Sequence, residues 1–110
     1  SANQRRQVLH PALKRVADGA PGTGTFALQQ NYPNPFNSAT QIRFELDREG
    51  PVELAVFNLT GQRVATLVRG AWPAGRYAVP LDGGGLGSGF YLYRLRADAR
   101  VETRKLLLLR

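Results

Sequence analysis

Few side chains in this sequence are suited to acid, base or nucleophilic chemistry. His10 is the one histidine, and cysteine is absent, which removes thiol nucleophiles, thiolate metal sites and disulfides. Glu45, Asp47, Glu49 and Glu53 cluster in and around one turn. Two of them face to face would offer a paired acid and base, but turn carboxylates are expected to be solvated surface charges. Asp82 leads into Gly83-Gly84-Gly85-Leu86-Gly87-Ser88-Gly89. A calcium loop would need alternating Asp or Asn ligands, and these are missing. A phosphate loop would need G-x-G-x-x-G or Gly-Lys-Ser/Thr opening a helix; neither occurs, and the next segment alternates like a strand. The run is expected to be a connection that uses glycine's access to positive φ. Asn58-Leu59-Thr60 matches a glycosylation sequon formally, though the pattern is short. No catalytic, cofactor or metal site assembles from these residues, and the expected protein is not an enzyme.

Charge gives a second clue. Fifteen Lys and Arg against eight Asp and Glu leave +7, which favours acidic partners. Arg5, Arg6, Lys14 and Arg15 lie near the start, while Arg43, Arg63, Arg76, Arg94, Arg96 and Arg104 fall mostly on outward strand positions. Nucleic-acid binders cluster charge on one face and interleave exposed aromatics. Here the spread looks diffuse and the aromatics take inward positions, so nucleic acid is not an expected partner. An anionic surface glycan is the polyanion kept as a candidate. There is no apolar run long enough for a transmembrane helix. The first residues carry no signal-peptide core, as a processed chain would not.

These residues must be positioned by strands. At 110 residues the chain supports one domain plus a tail. Asn31-Tyr32-Pro33-Asn34-Pro35-Phe36-Asn37 holds two prolines at alternate positions, which fits neither a helix interior nor a paired strand. Asn34 and Asn37 suit Asx-turns. The stretch is therefore a rigid corner, and behind it Ile42, Phe44 and Leu46 alternate with Gln41, Arg43 and Glu45. Strands are expected over 26–30, 40–46, 52–56, 63–68, 77–81, 90–96 and 101–109, with a bulge in 63–68 and an edge position for the Pro80 strand. Trp72 should cap one end of the core. The run Leu106-Leu107-Leu108-Leu109 must be covered on both faces or paired with a partner. Seven short strands with turn signals between them predict an all-β, immunoglobulin-like antiparallel β-sandwich over 25–110. Residues 1–24 are expected to form a basic tail or linker; Val8, Leu9, Leu13 and Val16 recur at helical spacing, interrupted by Pro11.

Five blocks in order carry a resemblance: Leu28–Asn37 with Thr40–Phe44, Val56–Val64, Ala74–Tyr77, Gly87–Leu95 and Lys105–Leu109. Together they resemble the type A C-terminal sorting domain of the type IX secretion system. The immunoglobulin-like domain of the flagellar hook-capping protein is similar over the Gly-Phe-Tyr region. The resemblance implies a non-enzymatic sorting and anchoring domain of a protein exported to the surface of a Gram-negative bacterium. Its implied partners are an outer-membrane translocon and a sortase-like protease, with cleavage in 18–24. Its implied recognition residues are Asn34, Pro35, Phe36, Asn37, Gly61, Gly75, Gly89 and Lys105. Two other readings stand beside it. The short apolar tail, through Val8, Leu9, Leu13 and Val16, could be donated to a neighbouring copy, making a filament or lattice subunit. An exposed Trp72 could stack on sugars in a carbohydrate-binding module.

Overall fold

Period-2 alternation places one apolar row of each strand inward and a polar row outward, so two sheets can share one core. In the computed structural model, which describes residues 7–8, 14–15 and 25–110, the strands are β1 (Gln7–Val8), β2 (Lys14–Arg15), β3 (Ala27–Leu28), β4 (Ala39–Leu46), β5 (Gly50–Phe57), β6 (Arg63–Trp72), β7 (Gly75–Asp82), β8 (Gly89–Ala97) and β9 (Arg100–Leu108). One sheet has the order β1-β6-β5-β8-β9 and the other β2-β7-β4-β3. Every neighbouring pair is antiparallel. Strands β3–β9 form the seven-stranded immunoglobulin-like sandwich that the sequence predicts.

The inward rows meet as expected. Ile42, Phe44 and Leu46 of β4 face Val52, Leu54 and Val56 of β5, with Val79, Tyr93, Leu95, Leu106 and Leu108 completing the centre. Each fully buried aliphatic is worth about 1.5–3 kcal/mol. Phe44 stacks on Tyr77 at 5.3 Å, and Trp72 meets Tyr77 edge-on at 5.7 Å. Trp72 is only 8% exposed, so it caps the core and offers no platform for a sugar ring. The leucine run divides as a strand should: Leu106 and Leu108 are buried, and Leu109 is half exposed.

The expected bulge in β6 is present. Leu54 pairs with Val68 but Ala55 with Thr66, and Val56 pairs with Ala65 but Phe57 with Arg63, so Leu67 and Val64 are each extra. The expected strand ends and the reading of the glycine-rich run need correction. Gly50 and Pro51 belong to β5 and pair with Trp72 and Ala71. Gly70 to Trp72 continue β6 and do not turn. In the glycine-rich run only Gly89 has positive φ, 146°. Gly83 is needed for space instead: a Cβ there would lie 3.2 Å from the side chains of Phe36 and Leu108. Among 1–17, Gln7–Val8 and Lys14–Arg15 are extended, so the expected helix is not formed at those residues.

The two lateral edges of the sandwich differ. On one side β3 and β9 are joined by the corner. On the other, β6 and β7 pair outward only with β1 and β2: Gln7 with Gly70, Val8 with Arg69, Lys14 with Ala78 and Arg15 with Tyr77.

Candidate recognition site

The corner is wired from its first residue. Asn31 is buried, and its amide Nδ2 donates to the Pro33 carbonyl and to Thr40 Oγ1, both at 3.1 Å. Thr40 Oγ1 donates to the same carbonyl at 2.8 Å. The Tyr93 hydroxyl accepts from Asn31 N–H at 2.8 Å and donates to the Gln29 carbonyl at 2.7 Å. The peptide bonds before Pro33 and Pro35 are both cis. Tyr32 is left 82% exposed at the tip, contrary to the expectation that the aromatics take inward positions.

From this anchor the corner crosses to β9. Phe36 is buried; its N–H donates to Leu107 O at 3.1 Å, and its carbonyl accepts from Leu109 N–H at 2.8 Å. Asn34 Oδ1 accepts from Leu107 N–H at 3.0 Å, where a local Asx-turn was expected. Behind the corner, Glu102 accepts from Leu28 N–H at 2.8 Å and Arg104 Nε donates to Leu28 O. Side chains of β9 thus cap the outward backbone groups of β3, which blunts an edge that would otherwise invite pairing. Arg110 donates to the carbonyls of Gly83 and Leu86, fastening the glycine run to the end of β9.

Asn34 and Phe36 therefore share one seam with β9, and Pro35 and Asn37 are their neighbours in the chain. Lys105 lies further along the same strand, exposed, its Nζ 5.1 Å from the Phe90 ring. Gly89 pairs with Leu108, which Phe36 bridges from its other side, whereas Gly75 pairs with Leu46 in the other sheet and Gly61 lies in the β5–β6 turn. Gly61 turns β5 into β6 at φ 89°, a conformation costly for other residues. Asn58 accepts from the N–H groups of Thr60 and Gln62 in that same turn, so the sequon residues have a plain structural role. Val8 lies in β1; Leu9, Leu13, Val16, His10 and the 18–24 joint fall outside the described residues. Sequence reasoning missed Asn31, Thr40 and Tyr93, and the available signal was a tyrosine at an inward strand position, which needs a partner for its hydroxyl.

The carboxylates do not form an acid and base pair. Glu45 lies on the outward row of β4, yet it is buried rather than the solvated charge expected, 3.7 Å from Arg76. Asp47 accepts from Arg100 at 2.7 Å, and that hydrogen bond first of all lowers its pKa. Glu53 points outward from the other sheet towards Arg63, Arg69 and Arg94 at 3.2, 3.5 and 4.0 Å. The hydrogen bond from Arg63 is the main reason its pKa is also lowered. Both acids are held ionised, unsuited to donating a proton near neutrality. Among the described residues no group of three or more His, Asp or Glu could hold a metal ion.

A family model described as the secretion system C-terminal sorting domain matches residues 30–109. The match begins at the corner and runs through all of β9. No curated protein matches the chain.

Proposed function

The chain belongs to the type IX secretion C-terminal sorting domain family, and from that premise we propose that it directs an attached protein through the outer-membrane translocon to the cell surface. A sorting tail of this kind implies export, dealings with the secretion machinery and a surface or extracellular destination. The finer reading is that the corner and the Lys105 end of β9 are recognised as one surface, with a sortase-like protease removing the domain afterwards. One observation carries it: the family match is unbroken across the corner and β9, which the fold joins by direct hydrogen bonds.

The full chain fused behind a reporter enzyme tests this in a bacterium with an intact type IX system and in one lacking it. Reporter on the surface or in the medium of the first strain only is the expected result. Equal distribution in both would refute the sorting role. The exposed changes Asn37→Ala and Lys105→Ala should reduce export without moving the melting temperature; export at the wild-type level would shift recognition elsewhere.

The pairing of Gln7–Val8 and Lys14–Arg15 with the edge strands favours a second reading, in which these segments are donated to a neighbouring copy. Light scattering on the chain with and without 1–24 decides it. Assemblies that vanish on truncation support donation; monomers in both cases rule it out.

A further inference from the structure

The charge that looks diffuse along the sequence is concentrated by the fold. The register aligns Arg69, Glu53 and Arg96 in one row across β6, β5 and β8, and Arg63, Phe57, Leu92 and Lys105 in another that reaches β9. Arg94 lies between the rows, its guanidinium 4.6 Å from the Phe57 ring centre. Among the described strand residues this outer face carries five cations against the single carboxylate of Glu53, with Asp98 in the turn at its end. Among the described residues of the other outer face the excess is smaller: Arg43 and Arg76, with Lys14 at the register position of Ala78, stand against Glu45 and Asp82.

We infer that the outer face of the β6-β5-β8-β9 sheet is a docking surface for an anionic polysaccharide. Neighbouring strands lie about 4.8 Å apart and alternate residues about 7 Å apart, so the cations form a two-dimensional grid suited to an extended polyanion. An open groove of about 370 Å³ lies at one end of this grid, where Arg69 and Arg96 share the lining with Glu53 and Asp98, so the cationic excess lies in the strand rows rather than in the groove. The choice of polyanion follows from the aromatics. Sequence-tolerant nucleic-acid binders stack bases on open rings, but here Arg63 and Arg94 both lie against Phe57, and Lys105 lies against Phe90. Phe90 keeps open ring surface, at 46% exposure, but it stands alone at the β8-β9 end, so the face offers a grid of charge rather than a row of stacking rings. The exported destination of the family makes a glycan the polyanion such a face would meet, and in this respect the inference rests on the sorting reading.

The purified chain should be retained on immobilised dextran sulfate and not on uncharged dextran. R69E/R96E, on this face, and R43E/R48E, off it, change the formal charge equally. The first should weaken retention about tenfold or more, as expected when several charge contacts are lost, and the second should leave it largely intact. Melting curves report whether each variant folds, and R69Q/R96Q replaces the first pair if it does not. Equal weakening by both pairs would reduce the effect to net charge and overturn the inference. Absent retention, or tighter binding of single-stranded DNA than of dextran sulfate, would overturn it too. Reporter export is read separately, so failure of the sorting role and failure of this face remain distinguishable.

Discussion

Tyr93 ties the centre of the core to the start of the corner. Its ring is fully buried and its hydroxyl joins the Asn31 N–H to the Gln29 carbonyl. Tyr93→Phe keeps the packing and removes both bonds, leaving the buried Asn31 N–H without a partner. The expected loss is about 1–3 kcal/mol, or about 4–8 °C of melting temperature per kcal/mol for a domain of this size. An unchanged melting temperature would show that the bridge contributes nothing. Burial also pushes the Tyr93 phenol above its ordinary value of 10.0. The neutral form is favoured in the fold, so this contribution is complete below the unfolded pKa and fades as pH rises through the folded one; the variant should lack that alkaline loss. At this scale the sequence was informative only locally. Two prolines and three asparagines announced a corner, because their backbone limits are intrinsic. Which atoms the asparagines bond was not legible, since Asn31 and Tyr93 lie 62 positions apart and Asn34 bonds β9 from 73 positions away.

Strands were legible wherever one face is buried and the other is wet. β4, β7 and β8 follow the expected ranges closely, and the single bulge expected in 63–68 is present, although the register shifts twice there and leaves both Val64 and Leu67 extra. The strand ends were less legible. Strands expected over 52–56 and 63–68 extend further, because pairing between β5 and β6 continues past Pro51 and Gly70 to Gly50 opposite Trp72. The positive φ in the turn between β8 and β9 is supplied by Asp98, at 57°, and not by a glycine. β1 and β2 were illegible for a different reason. Two-residue strands hold no period, and the helical spacing of Val8, Leu9, Leu13 and Val16 says nothing about the open edges of β6 and β7 that organise Gln7–Val8 and Lys14–Arg15.

At the scale of the whole molecule, the same grid that suits a polyanion is a store of repulsion, and Glu53 is what moderates it. Three arginines lie within 4.0 Å of its carboxylate, and Arg96 adds to the attraction at longer range. Its pKa is lowered from an ordinary 4.5, first by the hydrogen bond from Arg63, against an opposing effect of burial. A carboxylate whose folded pKa lies below its unfolded value stabilises the fold above the unfolded value, and that stabilisation disappears as pH falls through the folded one. Asp47, held by Arg100, follows the same sign. The melting temperature of the chain should therefore be flat near neutrality and fall below about pH 4.5. Glu53→Gln should melt lower than wild type at pH 7, approach it as acid protonates the wild-type carboxylate, and show a shallower acid slope. Added salt should narrow the gap at pH 7, because exposed pairs are screened within about 10 Å at 0.1 M. Parallel curves for the two proteins at every pH would mean that the grid tolerates its own charge, and that Glu53 sits among the arginines without holding them together.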